Sequence, residues 1–244
     1  MPITIELPDL KSQSNFNLAR WAEILADPRL ATLPDRIETD RHGHILMSPP
    51  PGFQHSRHQG RIIGLLNELL RDGNTLPECP LSTADGVKAI DVAWLAPERP
   101  ESRSEAILLT EAPEICVEIL SPSNSSTEIN EKRALYFDAG AKEVWLCDRN
   151  SRMTFFAAEG QLERSGLCPD FPLEIDLEQR PLNKLQEQLL VAYDQLVKTP
   201  EDRTRLEKTN PELVAERDRI VAAQKRALLA RETKRAVRSQ KKTR

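Results

Sequence analysis

Two acids stand where apolar side chains belong. Glu118 interrupts Ile115-Cys116-Val117-Glu118-Ile119-Leu120, a short run between Pro113 and Pro122 that otherwise reads as a strand buried on both faces. Asp91, 27 residues earlier, interrupts Val87-Lys88-Ala89-Ile90-Asp91-Val92-Ala93-Trp94-Leu95 in the same way. A buried carboxylate is strongly disfavoured unless it is paired, protonated or bound to a metal. Two of them on two core strands are the beginning of a divalent-metal site. Phosphodiester hydrolysis is chemistry that uses such a site, since an ion polarises the phosphoryl group and generates hydroxide near neutral pH. Mg²⁺ prefers oxygen ligands and keeps several waters, so two carboxylates and a backbone carbonyl suffice. Asp91 and Glu118 supply the carboxylates and Ile119 can supply the carbonyl; a nearby lysine would orient the water and offset phosphate charge.

The elements that must hold these residues are readable in outline. A short helix is expected over 16–30, then strands at Arg36–Thr39 and His44–Met47 around the turn Asp40-Arg41-His42-Gly43. Ile62, Ile63, Leu66, Leu69 and Leu70 recur at helical spacing, ending near Asp72-Gly73 with Gly73 as the C′ residue. The strand carrying Asp91 follows, then a charged loop over 97–105 and the strand carrying Glu118. Ser121 to Thr127 is rich in helix-capping types, with Ser121 and Ser123 the expected caps. It opens a helix that runs through Ala139 and stops at Gly140. Strands follow at Glu143–Cys147, Met153–Ala157 and Leu173–Ile175. Strand, helix and strand over 115–148 form a crossover unit, so the sheet is mixed. A last amphipathic helix spans 182–197, and the segment beyond Pro200 reads as helical in pieces, mobile and outside the core. Trp94 and Trp145 read as core; His42, His44 and His58 read as surface.

Composition sets the class. With 39% hydrophobic and 30% charged residues, the 244-residue chain is that of a globular protein with a sizeable core. Cys79, Cys116, Cys147 and Cys168 lack any C-x-x-C spacing and read as free thiols of a reducing cytoplasm. No segment has the character of a secretory signal or a membrane span, so a cytoplasmic location is expected. The net charge of −4 conceals an asymmetry: residues 201–244 hold 14 Lys and Arg against 7 Asp and Glu. From Arg219 onward ten basic residues face one acid. Arg231, Lys234, Arg235, Arg238, Lys241 and Lys242 are the candidate nucleic-acid contacts there. The blander alternative is a solubilising helix end.

Three consecutive stretches carry a family resemblance. Pro113 to Ser123, then Glu131-Lys132-Arg133-Ala134-Leu135-Tyr136, then Gly140 to Asp148, closely resemble the Uma2 family of restriction-endonuclease-like proteins, part of the PD-(D/E)XK nuclease superfamily. The likeness runs from about residue 16 to 180. It implies a restriction-endonuclease-like α/β core, a mixed β-sheet flanked by helices; the domain expected is 1–198, and the tail over 199–244, basic and helical or partly disordered, lies outside the likeness. It implies Asp91 and Glu118 as metal-binding acids, Lys132 as the helix lysine turned towards them, Glu38 as an N-terminal glutamate near the metal, and His55 as a site neighbour. The cofactor implied is Mg²⁺, with Mn²⁺ as a substitute, and the partner is DNA. The chain departs from the family pattern at Ile90, where proline usually precedes the first acid, and in the turn after Glu38. Leu120 stands two residues beyond Glu118 where the superfamily motif has lysine.

The leading expectation is a Mg²⁺-dependent DNA endonuclease. A catalytically silent nucleic-acid-binding or assembly module of the same fold is the alternative, and a scaffold pairing through its C-terminal helix is a third. A homodimer stays open.

Overall fold

The ten residues from Gly86 to Leu95 are all buried although two of them, Lys88 and Asp91, are charged. The strand they form is the axis around which the rest is arranged. In the computed structural model, residues 10–30, 32, 36–99, 106–121, 124–177 and 184–242 are described, with backbone alone for 10, 184, 185, 187 and 227–242. The expected loop over 97–105 and the expected cap Ser123 therefore lie partly or wholly outside the described residues.

A helix α1 (Leu10–Ala26) leads to a hairpin of β1 (Arg36–Thr39) and β2 (Ile45–Ser48). Helix α2 (Phe53–Leu69) then buries His58, Ile62, Leu65 and Leu66, one face at helical spacing. The six-stranded sheet comprises β3 (Asn74–Thr83), β4 (Gly86–Leu95), β5 (Ile115–Ile119), β6 (Glu143–Cys147), β7 (Met153–Ala157) and β8 (Gly160–Leu162), adjacent in that order. All neighbours are antiparallel except β5 and β6, whose parallel pairing is bridged by α3 (Ser126–Asp138). The fold is thus mixed α/β, a six-stranded mixed sheet flanked by helices.

Ser125 caps α3 by accepting the Glu128 N–H at 3.1 Å. Ser121, an expected cap, instead bonds Asn124 just before the helix. Gly140, at φ +104°, ends the helix and turns the chain into β6. Gly86, at φ +85°, permits the tight β3–β4 turn to lie against β1, where any Cβ would meet the Thr39 and Asp40 carbonyls at 2.4 Å. That contact positions the hairpin: Thr39 Oγ1 accepts the Val87 N–H at 2.9 Å, and Lys88 Nζ donates to the Thr39 carbonyl.

Several expectations are corrected. Helix α1 begins at residue 10, six residues before the expected start, because Gln13 and Asn17 bind each other and Asn17 reaches Ser82 and the Thr83 carbonyl. Helix α2 stops at Leu69, and Gly73 is no cap; it admits the Trp94 ring, which a Cβ would meet at 2.4 Å. Strand β3 was not expected at all. Leu173–Ile175 is no strand, making only the bridge Arg152–Glu174, while β8 completes the sheet edge. His58 is buried, with its ring nitrogens bonded to the Gln54 carbonyl and Ser151 Oγ. The four cysteines are free and buried.

The chain divides into two compact units, residues 1–176 and 177–244. The second holds α4 (Lys184–Leu196), α5 (Pro200–Thr209) and α6 (Pro211–Lys242), so α4 falls with the C-terminal helices rather than with the sheet. A Thr199–Asp202 capping box starts α5. Arg217 lies 5.0 Å over the Tyr193 ring, and Arg203 pairs with Asp218 at 2.7 Å, tying the unit together. No helix among the described residues is long and apolar enough to cross a membrane.

Candidate metal centre

The ladder between β4 and β5 stops at Val92–Val117. Continued by one residue, that register sets Asp91 level with Glu118. Directly opposed residues of an antiparallel pair project to the same face, so both acids face the same side of the sheet. The Asp91 side chain occupies the gap where the ladder ends, and its Oδ2 accepts the Ile119 N–H at 2.6 Å. In an extended residue N–H and C=O project to the same side, so the Ile119 carbonyl is directed to that edge as well.

Four further elements converge on the two acids. From β1, Arg36 Nη1 lies 2.6 Å from Asp91 Oδ1, and Glu38 Oε1 accepts the Ala89 N–H at 3.1 Å. From α2, His55 Nε2 lies 3.2 Å from Asp91 Oδ2 and Gln59 donates to the Asp91 carbonyl at 2.8 Å. From α3, Lys132 Nζ stands 3.0 Å from Glu38 Oε1 and 3.5 Å from Glu118 Oε2, while Tyr136 donates to Glu118 Oε1 at 2.7 Å. Lys132 and Tyr136 are four residues apart and share a helix face. From β3 comes Glu78, with Oε2 3.2 Å from Arg36 Nε and Oε1 accepting from Gln59 at 2.7 Å.

Glu78 has φ +48°, uncommon for a residue with a side chain. The β3–β4 pairing is interrupted at this residue, between Pro77–Val92 and Cys79–Ile90. The Asp91 carbonyl, opposite the interruption, is bonded by Gln59 instead of by the sheet. Local strain of this kind clusters at functional sites.

The electrostatics separate the two acids. Burial opposes ionisation of Asp91, but the His55 hydrogen bond, the Arg36 charge and the Ile119 amide outweigh it and hold its pKa below the ordinary value. Burial dominates at Glu118 and pushes its pKa up to about 7, with the Asp91 charge adding; Lys132, Arg36 and Tyr136 pull the other way without winning. Burial also opposes the charge of Lys132, yet Glu118 and Glu38 raise its pKa above the ordinary lysine value. His55 is raised chiefly by its bond to Asp91. A low acid beside a high one is the pattern of groups with divided roles.

The donor set suits a hard divalent cation: buried carboxylate oxygens, a carbonyl at the same edge and an excess of acids over cations. Among the described residues no three His, Cys, Asp or Glu side chains form a ready-made metal cluster. Two carboxylates with waters and substrate oxygens are the usual complement of Mg²⁺.

The structure therefore brings together Asp91, Glu118, Lys132, Glu38 and His55, all singled out in the sequence, with the Ile119 backbone. The side chains of Arg231, Lys234, Arg235, Arg238, Lys241 and Lys242 lie outside the described residues, and only their helical backbone in α6 is seen. Arg36, Gln59, Glu78 and Tyr136 were not anticipated as site residues. Arg36 and Glu38 are two apart on a strand, and His55 and Gln59 four apart on a helix, which are same-face spacings that could have found them. Tyr136 lay in the Lys-x-x-x-Tyr motif itself.

A search of the curated proteins finds no match. Among solved structures, the chain is similar to one described as a "putative nuclease belonging to DUF820" from Anabaena variabilis, at 19% identity and a TM-score of 0.45, covering 69% of this chain and 91% of that one. Residues 23–179 match the model of the family described as "Putative restriction endonuclease". That match takes in well over half of the chain, and the protein belongs to this nuclease-like family, Uma2.

Proposed function

We propose that the protein is a Mg²⁺-dependent DNA endonuclease, with Mn²⁺ able to substitute. The observation that supports this most is the pairing of a low-pKa acid, Asp91, with a high-pKa acid, Glu118, on one face of adjacent strands beside Lys132. Asp91, Glu118 and the Ile119 carbonyl would hold the cation, which when bound would polarise a phosphodiester and acidify a water. Lys132, kept cationic by Glu38 and Glu118, orients the attacking water and offsets negative charge on the phosphate. Tyr136 and the Ile119 amide fix the rotamers of the two acids, and His55 holds Asp91 from the other side. Burial favours the protonated form of Glu118 below about pH 7, and a cation bound beside it would favour the ionised form.

Cleavage of supercoiled plasmid and of oligonucleotides by the purified protein in Mg²⁺ or Mn²⁺ tests the reading. Asp91→Ala, Glu118→Ala and Lys132→Ala should each remove most of the cleavage, with losses far from additive because the groups act as a unit. Cleavage by the two acid variants at the wild-type rate would place the activity elsewhere. Wild-type binding without any cleavage would favour the silent module.

The basic arm belongs to the same proposal. Arg231, Lys234, Arg235, Arg238, Lys241 and Lys242 recur at three- and four-residue steps along α6. If about five side chains of the arm meet phosphates, the slope of log affinity against log salt is about −4 to −5 on duplex DNA. Deleting residues 201–244 should weaken binding and flatten that slope; equal slopes for the two chains would remove the arm from recognition.

A further inference from the structure

We propose that Arg36 grips the substrate phosphodiester, and that in the metal-free protein its guanidinium is parked on the carboxylates a divalent cation would take. The inference rests on the metal-dependent reading above and assigns a phosphate-binding role to a residue outside the acid–lysine set.

Arg36 is the hub of the acidic cluster. Its head lies 2.6 Å from Asp91, 3.2 Å from Glu78 and 3.5 Å from Glu38. Burial disfavours its charge, yet Asp91, Glu118, Glu78 and Glu38 together hold it protonated. Among the described residues only the Nη1 contact is a well-formed hydrogen bond, and Nε and Nη2 are buried with no hydrogen-bond partner there. A guanidinium offers five donors in a rigid fork. One that is buried with part of the fork unused is held by charge and not by fit. A phosphodiester presents two oxygens with the spacing that this fork matches, which the scattered carboxylates do not.

The side chain also has somewhere to go. Arg36 lines a partly open cavity of about 520 Å³, together with Gln59 and Glu78 among its polar lining and Trp21, Ile24 and Ile37 among its apolar walls. The cavity begins at the cluster, so the head can leave Asp91 without leaving the neighbourhood of the reacting groups. Arg36 sits on β1, in a two-stranded hairpin outside the main sheet, so no ladder of that sheet breaks when it moves. Lys132 has no such freedom, being held between Glu38 and Glu118. With a doubly charged cation held by Asp91 and Glu118, the adjacent guanidinium would be repelled, and a substrate phosphate would supply the anion that replaces its lost carboxylates. Arg36 would then oppose metal binding in the free protein and favour DNA binding in the metal-loaded one.

Arg36→Gln and Arg36→Lys in the full chain separate these two roles. Calorimetry with Mn²⁺ alone should show Arg36→Gln binding about tenfold tighter than wild type, with a larger Mn²⁺-induced rise in Tm. Oligonucleotide affinity in Ca²⁺, chosen to limit turnover, should fall about tenfold in the same variant. Arg36→Lys keeps the charge but lacks the fork, so it should bind Mn²⁺ no tighter than wild type while recovering only part of the DNA affinity. Should Arg36→Gln fail to fold, DNA affinity of folded Arg36→Lys equal to wild type overturns the proposal. Equal Mn²⁺ affinities for wild type and Arg36→Gln, or unchanged DNA affinity, overturn it while leaving the metal site standing. Absence of Mn²⁺ binding in both proteins defeats the metal reading and this inference together.

Discussion

The two ends of β5 and β6 bury acids in opposite ways. At the start of these strands, Glu114 accepts the Ala96 N–H at 2.9 Å and lies 3.6 Å from Arg99. Glu143 accepts the Gly166 and Leu167 N–H groups at 2.7 and 2.9 Å, and the Trp145 indole N–H at 2.7 Å. Each is satisfied by donors from its own surroundings, mostly backbone amides. At the other end Asp91, Glu118, Glu38 and Glu78 share Arg36 and Lys132, and Glu118 is left with its pKa pushed to about 7. Fixed amides neutralise a carboxylate permanently and suit a structural role. Side-chain cations neutralise it conditionally, which is what a site that must admit a metal and a phosphate requires. Burial of an acid is thus no mark of function; what sets the second end apart is that several acids share two cations, beyond the amide bonds that Asp91 and Glu38 also accept.

The sharpest test exchanges acids for amides at both ends. Asp91→Asn and Glu118→Gln should lower metal-dependent cleavage by at least about 10²-fold, with little loss of fold because shape is kept. Glu143→Gln should do the reverse, turning an amide NH₂ towards either the Gly166 or the Trp145 donor. Its expected cost is about 1–3 kcal/mol of stability, with cleavage unchanged below its Tm. Denaturant melts and plasmid cleavage on the same preparations decide it. A Glu143→Gln protein that is stable but inactive would break the distinction between the two ends.

The sequence reveals one end of this contrast better than the other. Asp91 and Glu118 are legible because charge inside a continuous apolar run has no ordinary explanation. β6 and β7 are found with their ends intact, since short apolar segments there are bounded by turn residues, and β1, with one apolar residue in four, by the turn that follows it. β3 was hidden by Pro77 and Pro80, residues that argue against a strand; it survives at the edge of the sheet, where β4 is its neighbour strand and a single bridge joins Leu81 to Leu109 on its other side. Missing β3 meant missing Glu78. Arg36 and Gln59 carry only the weaker signal of sharing a face with Glu38 and His55, because charged and polar side chains on a hairpin and a helix are ordinarily surface groups. The packing of β1 against β4 turns Arg36 inward, and that of α2 against β3 and β4 turns Gln59 inward. Glu143, at the head of a strand, carried no signal that amides would meet it.

The contrast is also one of pH. Glu118 has a folded pKa of about 7 against an ordinary 4.5, so its contribution to stability is fully present below about 4.5 and is lost as pH rises through about 7. A shift of that size corresponds to about 3 kcal/mol. His55, raised by Asp91, acts in the same direction above its ordinary 6.5. Asp91, lowered from 3.8, contributes stability that is lost only as pH falls below that value, outside this window. Metal-free protein should therefore be more stable at pH 5 than at pH 8. Glu118→Gln should remove most of the slope, and saturating Mg²⁺ should flatten it in the wild type. A wild-type slope that Glu118→Gln leaves intact would assign the titration to another group.

The smallest expected effect isolates one hydroxyl. Tyr136 is fully buried and donates to Glu118 Oε1 at 2.7 Å, one of three influences that hold the Glu118 pKa down against burial. Tyr136→Phe removes the donor and little volume, so the carboxylate loses a bond that favours its ionised form and Glu118 becomes harder to deprotonate. The acid limb of the cleavage pH profile should move upward by about one unit or less, giving a loss of under about tenfold near pH 6.5 that disappears at higher pH. The matching change at the structural end is Trp145→Phe, which takes the indole N–H from Glu143 and loosens packing against Phe155 and Phe171. It should lower Tm and leave the pH profile where it was. If Tyr136→Phe lowers cleavage equally at every pH, Tyr136 only positions Glu118; if Trp145→Phe moves the profile, the two ends of the strands are electrostatically coupled and the division of labour drawn from their donors does not hold.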